Sequence, residues 1–256
     1  MGRSGEPVAV CLRVADRAGV TMGDSCVVIG TGPIGLITAL MSRHAGGGRT
    51  LVPDIAPERL RLAKKLGFEP VNAPAETLAA ATDSDGADVL VECSGAAPAA
   101  LEMTRLVRTG GTICLASLFK APTPVALLHM SFKELRLVGS RVYTREEFRR
   151  ATALVAQLET PLAKLITRIV PLSAAGDVFE LAPDPGAGMV KVLVDCRGRP
   201  RGSEIPLQDM RLREDASGQL PAFLAMPCPA RRPARPQAVS ARVARKTTST
   251  PRASWS

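Results

Sequence analysis

Val27-Val28-Ile29-Gly30-Thr31-Gly32-Pro33-Ile34-Gly35 runs an apolar strand into G-x-G-x-x-G spacing. Residues of these types at these intervals can hold a pyrophosphate. Gly30 permits the tight turn, Gly32 lets backbone approach the phosphates, Gly35 allows a helix to pack closely on its strand, and the helix N-terminus faces the negative charge. The helical run Leu36–Met41 follows, and Arg49-Thr50-Leu51-Val52-Pro53-Asp54 reads as a second strand ending in a carboxylate. Strand, glycine turn, helix, strand and terminal acid together form the signature of a dinucleotide-binding βαβ unit, which a glycine triplet alone would not.

Such a turn needs a scaffold, and the sequence supplies one. From Ser25 to about Ser140, strand candidates Cys26–Ile29, Thr50–Val52, Glu69–Val71, Val89–Glu92, Ile113–Ala116 and Leu135–Val138 alternate with helical patterns such as Pro57–Leu66 and Pro98–Val107. Six strands alternating with helices predict an α/β fold, a doubly wound parallel sheet of the Rossmann type. Phe119–Phe132, with Pro122 and Pro124, reads instead as a crossing loop with a short helix, a kind of connection that often borders a cofactor's reactive end. Thr144 with Glu147 three residues on matches a capping box and opens a helix to about Leu158. Two further strand candidates, Leu165–Val170 and Val190–Val194, flank a short helix near Ala174–Leu181. They lie beyond a complete six-stranded unit and are expected to need another sheet to pair with.

Composition agrees with this class. The chain has 256 residues and 46% hydrophobic content, ample for a core, and only 3% aromatics, so that core is built from Ala, Val, Leu and Ile. No apolar stretch is long enough to cross a bilayer and no leader pattern opens the chain, so a soluble, cytoplasmic protein is expected. Cys11, Cys26, Cys93, Cys114, Cys196 and Cys228 contain no C-x-x-C pair, and most sit in apolar runs, as reduced core residues do. His44 and His129 share no metal-ligand spacing with each other or with a cysteine, so no metal ligands are assigned. The net charge of +9 belongs to the end of the chain: residues 198–256 carry a net +7. Eight prolines in that segment and the loss of periodicity predict a basic, Arg/Pro-rich disordered tail. Its only aromatics are Phe223 and Trp255, with no stacking pattern between the arginines, which argues against a nucleic-acid-binding arm.

Several further segments occur in order: Glu6-Pro7-Val8-Ala9-Val10, Arg17-Ala18-Gly19-Val20, Gly23-Asp24, the glycine turn, Asp54 with Arg59, Ala63-Lys64-Lys65-Leu66-Gly67, Glu92-Cys93-Ser94-Gly95, Gly110-Gly111-Thr112 and Tyr143-Thr144-Arg145-Glu146-Glu147-Phe148. Over roughly residues 5–196 the chain resembles the zinc-dependent medium-chain alcohol dehydrogenases, nearest the polyol, butanediol and threonine dehydrogenase branch. The resemblance implies a Rossmann domain that in the family follows a GroES-like, zinc-binding catalytic domain. Its zinc ligands, a Cys and a Gly-His-Glu segment, precede the point matched by the start of this chain. Residues 1–22 are then expected to be a remnant of the catalytic domain with a connecting helix, and 23–160 the dinucleotide-binding domain. Residues 161–196 would form strands returning to the catalytic domain, and 197–256 the tail.

Position by position, the resemblance implies a zinc-site partner at Glu6 and a pyrophosphate turn at Gly30, Gly32, Pro33, Ile34 and Gly35. It implies an acid for the adenosine ribose hydroxyls at Asp54 and a residue over the adenine at Arg59. Cys93 and Ser94 would line the adenosine edge. Ala116, Ser117 and Leu118 would face the nicotinamide amide, with Ser140 and Arg141 in the segment after the sixth strand. The implied partners are NAD(H), a small alcohol or polyol and further copies of the chain. Zinc is expected of the full-length family but not of these residues, and without it the chain is expected to be inactive alone. Sorbitol-type members carry an aromatic-Arg-Tyr run where Arg141-Val142-Tyr143 stands here, which argues against a strict sorbitol dehydrogenase. Tyr143 is followed by Glu147 and not by a lysine, which excludes the short-chain dehydrogenase pattern. A methyltransferase would not account for Pro33-Ile34 or Arg59. A zinc-free quinone-reductase-like enzyme and a non-catalytic NAD-binding fragment remain as alternatives, the first disfavoured because Asp54 would repel a 2′-phosphate.

Overall fold

The computed structural model describes residues 2–72, 85–181 and 189–196. The predicted tail lies outside the described residues, as does Cys228.

Helix α1 (Gly2–Ala18) buries Val8, Cys11, Leu12, Ala15 and Ala18, the three-and-four spacing that gives a helix one apolar face. The chain then alternates: β1 (Cys26–Ile29), α2 (Pro33–His44), β2 (Thr50–Asp54), α3 (Pro57–Lys65), β3 (Glu69–Asn72), β4 (Ala87–Glu92), α4 (Ala97–Glu102), β5 (Val107–Leu115), α5 (Leu127–Phe132), β6 (Arg136–Gly139) and α6 (Arg145–Gln157). Strands β1 to β6 form one parallel sheet in the order β3-β2-β1-β4-β5-β6. The winding direction reverses between β1 and β4, leaving a crevice above the carboxyl ends of those two strands.

Period-two alternation divides the core. On β1, Cys26 and Val28 pack with α1, α2 and α6, whereas Val27 and Ile29 pack with Leu90, Met103, Leu106 and Ile113 on the other face. A sheet covered on both faces needs apolar residues at consecutive positions, and the wholly buried Cys26-Val27-Val28-Ile29 run provides them. Polar clamps fix the first face. Arg13 Nη1 donates to both carboxylate oxygens of Glu147 at 2.9 Å, Arg150 Nη1 donates to Asp16 Oδ2 at 2.6 Å, and Arg17 Nε donates to the Gly139 carbonyl at 3.0 Å. Glu147 also completes the predicted capping box with Thr144.

Two expectations are corrected. The helix expected over Pro98–Val107 ends at Glu102. Val107 is already in β5, because Arg108 Nε is drawn to Asp88 Oδ1 at 2.6 Å and the Ala87 N–H pairs with the Leu106 carbonyl. Met103 and Leu106 therefore fill the core from a turn. The late strands do lie outside the six-stranded sheet, but they partner each other instead of requiring a sheet from elsewhere. After α7 (Glu159–Leu165), β7 (Ile166–Pro171) pairs in parallel with β8 (Lys191–Asp195), with α8 (Ala175–Leu181) between them. They form a small sheet of their own.

Candidate cofactor site at the switch point

The glycine turn lies at the carboxyl end of β1, directly over the crevice. Gly30 sits at φ +95°, a conformation side-chain-bearing residues rarely adopt, and a Cβ there would press within 3.1 Å of the Ser94 backbone. Gly32 is the N-cap of α2 and Pro33 occupies its first turn, where the missing N–H costs nothing. No side chain caps this helix, and a Cβ on Gly32 would meet nothing within 4 Å. The first-turn N–H groups and the positive end of the helix dipole therefore face open space that an anion can fill. Gly35 lets α2 sit against β1: a Cβ there would lie 1.7 Å from the Gly30 carbonyl oxygen. Ile34 holds α1 to this turn, its carbonyl accepting the Cys11 thiol at 3.3 Å.

Asp54 ends β2 beside the turn and is mostly buried. Its Oδ2 accepts the Thr31 N–H at 2.6 Å and the Thr31 hydroxyl at 2.7 Å, and Oδ1 accepts the Ala56 N–H at 2.9 Å. Thr31 is fully buried, and its part in aiming Asp54 is not signalled by motif spacing. Arg59 is half-buried on α3, with its Nε buried and lacking a hydrogen-bond partner.

The loops after β4 and β5 close the other side of the crevice. Ser94 is exposed, Ala116 and Ser117 are half-buried, and Leu118 is exposed. Cys93 instead packs with the core cluster, where burial, and after it the neighbouring Cys11 and Glu92, pushes the thiol far above the ordinary range. Burial likewise lifts Cys11 and Cys26 to about 12 and Cys114 to about 11, so these thiols stay protonated and unreactive at neutral pH. Ser140 follows β6, its N–H donating to the Leu115 carbonyl at 2.9 Å and its Oγ buried without a partner, and Arg141 next to it is exposed. Glu6 is exposed on the first turns of α1. Burial and, after it, the Glu6 charge raise the Tyr143 phenol above its usual value, which places Glu6 near the segment after β6.

The principal residue that sequence reading overlooked is Glu92 at the end of β4. It is wholly buried and ties together the Ser94-Gly95 turn and Ser117. An acid closing the apolar run Val89-Leu90-Val91 was the available signal.

The open α2 N-terminus, the glycine cradle and the strand-end acid fit a dinucleotide. Metal ligation is another matter. Among the described residues no group of three His, Cys, Asp or Glu could hold a metal ion, so the donor set present does not fit zinc. His44 is exposed at the end of α2, and His129 Nδ1 is engaged with the Thr104 hydroxyl at 3.1 Å. Among the described residues no helix is long and apolar enough to cross a membrane.

Known proteins share this arrangement. Residues 33–157 match the family model described as zinc-binding dehydrogenase. A Rhizobium meliloti (strain 1021) protein named "Putative D-xylulose reductase" is 36% identical over 195 residues, covering 74% of this chain and 56% of the relative. The 2-dehydro-3-deoxy-L-galactonate 5-dehydrogenase of Pseudoalteromonas atlantica is 33% identical, over 75% of this chain and 57% of its own length. The chain thus spans little more than half the length of the relatives it matches. A crystal structure from Sinorhizobium meliloti 1021, titled a "putative zinc-binding dehydrogenase" bound to NADP, superposes with a TM-score of 0.67 at 31% identity. That match covers 75% of this chain and 58% of the other. With the family match running from the start of α2 to the end of α6 and a superposable solved member of that description, this part of the chain, residues 33–157, belongs to the zinc-binding dehydrogenase family.

Proposed function

We propose that this chain is the NAD(H)-binding part of a zinc-type alcohol or polyol dehydrogenase. The observation that carries the reading is the uncapped α2 N-terminus, opened by Gly32 and flanked by Asp54, at the reversal point of the sheet. There the first-turn N–H groups would take the pyrophosphate, and Asp54 would accept the adenosine ribose hydroxyls while Thr31 holds its carboxylate in place. Arg59 would lie over the adenine and Ser94 along the adenosine edge, while the 116–118 backbone would meet the nicotinamide amide, with Ser140 and Arg141 beyond it. When bound, NAD⁺ supplies a hydride acceptor for an alcohol carbon.

The Sinorhizobium meliloti neighbour is titled as bound to NADP, so cofactor choice needs its own test. A carboxylate at Asp54 opposes a 2′-phosphate and favours NAD(H). Calorimetric titration with NADH and NADPH is expected to show tighter NADH binding, with Asp54→Ala narrowing the difference. Tighter NADPH binding by the unmodified chain would overturn the assignment. Self-association belongs to the same proposal. Edge strand β6 and the exposed Leu127, Leu128, Phe132 and Leu137 support it, and sedimentation velocity is expected to show a dimer or larger species.

A further inference from the structure

Glu92 is the one fully buried glutamate among the described residues, and no Lys, Arg or His among them pairs with it. Removing a carboxylate from water without a countercharge costs several kcal/mol unless hydrogen bonds replace hydration. Here only donors surround it. Oε1 accepts the Ser94 N–H at 2.8 Å, the Gly95 N–H at 3.0 Å and the Ser94 hydroxyl, while Oε2 accepts the Gly95 N–H at 3.2 Å and the Ser117 hydroxyl. The Glu92 carbonyl accepts the N–H groups of Ala116 and Ser117 at 2.9 and 3.1 Å. One residue therefore binds the turn after β4 to the turn after β5. Contact between the turns is close: a Cβ on Gly95 would lie 3.0 Å from the Leu118 carbonyl oxygen. The Ser94 backbone also abuts Gly30, which carries the linkage to the phosphate turn.

We propose that Glu92 is a positioning residue for the nicotinamide half of the cofactor. Its carboxylate, acting through the Ser117 hydroxyl, holds the 116–118 backbone at the height where the nicotinamide amide would meet it. An apolar or amide side chain could fill the same space. Neither presents acceptors alone to these donors: a glutamine keeps one acceptor oxygen, and its NH₂ would either face the Gly95 N–H or turn the Ser117 hydroxyl from donor to acceptor. The inference rests on the cofactor reading above and assigns a role to a residue that the Glu92-Cys93-Ser94-Gly95 segment contains but that the resemblance left without one.

The experiment compares NADH with ADP-ribose, which lacks the nicotinamide, by calorimetry on the full chain. Ser117→Ala cuts only the side-chain bond between the turns and leaves the two backbone bonds to the Glu92 carbonyl in place. It is expected to weaken NADH about tenfold and leave ADP-ribose within about twofold, on the scale of one hydrogen bond to a charged group. Ser117→Thr, which keeps the hydroxyl, is expected to restore NADH binding. Glu92→Gln is expected to weaken NADH at least as much, and adding Ser117→Ala to it to cost little more, because both variants break one linkage. Should Glu92→Gln fail to fold, the Ser117 pair decides the matter. Equal loss of both ligands, or NADH affinity unchanged in Ser117→Ala, overturns the positioning role while leaving the cofactor reading intact. An unmodified chain that binds neither ligand overturns both.

Discussion

Gly32 and Gly35 stand three residues apart in one motif, yet replacing each with alanine should produce opposite results. A Cβ at Gly35 would lie 1.7 Å from the Gly30 carbonyl oxygen and 2.9 Å from its carbon. Contact at van der Waals distance would require α2 to withdraw by roughly 1.5 Å from the turn that it covers. Both groups are backbone, with no flexible side chain to yield, so the cost should fall at the upper end of overpacking, about 3 kcal/mol. For a chain of this size that lowers the melting temperature by roughly 6–12 °C. Gly32 differs in every respect. Its φ is −68°, a value alanine adopts freely, and a Cβ there meets nothing within 4 Å. Gly32→Ala should leave stability within about 1 kcal/mol. Its methyl group, however, would stand over the first-turn N–H groups where the pyrophosphate is proposed to sit. NADH affinity should then drop at least about tenfold, or about 1.4 kcal/mol.

Thermal unfolding and NADH titration on the two variants separate packing from binding. Gly35→Ala should be destabilised, and Gly32→Ala should be stable but deficient in binding. A stable Gly32→Ala with NADH affinity intact would refute the α2 N-terminus as the phosphate site. A Gly35→Ala variant that melts with the parent would refute the close approach of helix and strand.

Asp88 supplies a pH test. Its carboxyl is held down at about 2 by the hydroxyl of Ser25 and by Arg108, against an ordinary value of 3.8, so it stabilises the fold fully above pH 4 and loses that contribution as pH falls toward 2. Allowing for solvent screening, the loss should be about 1 kcal/mol in urea melts, and absent from Asp88→Asn; identical pH profiles would refute it. Glu147→Ala removes both half of the capping box and the acceptor of Arg13, and should cost about 2 kcal/mol by denaturant unfolding. A loss below about 0.5 kcal/mol would mean that the α1–α6 clamp contributes no more than an exposed pair. Chelator treatment should change neither melting temperature nor NADH affinity, and a coupled assay on 2,3-butanediol, threonine and sorbitol should show no turnover by the chain alone. One tightly bound zinc per chain, with turnover, would reverse that expectation.

The elements legible from sequence were those whose information is local. An apolar run, three glycines and a following acid marked β1, α2 and β2 because each feature is read within a few residues. Thr144 and Glu147 marked the start of α6 in the same way. Pro98–Val107 misled because Met103 and Leu106 have helical spacing, while the partners that end the helix, Asp88 for Arg108 and Ala87 for Leu106, come from another strand. Strands β7 and β8 looked partnerless because their pairing joins residues on either side of α8. The site follows the same division. Asp54 and Glu92 both close an apolar parallel strand and both accept from loop backbone and hydroxyl groups, but Glu92 takes donors on both oxygens, whereas Oδ1 of Asp54 takes only the Ala56 N–H and keeps acceptor capacity for a ligand. The glycine motif assigns Asp54 a role by spacing; Glu92 stands in a matching segment too but received none, because Ser117, whose hydroxyl it accepts, lies 25 residues away on another strand's loop. The contrast has a physical basis. The role proposed for Asp54 depends on its distance along the chain from the glycine turn, which spacing can encode. An acid that aligns two loops is fixed only by the sheet that brings β4 and β5 together, so its function becomes visible when strand order is known.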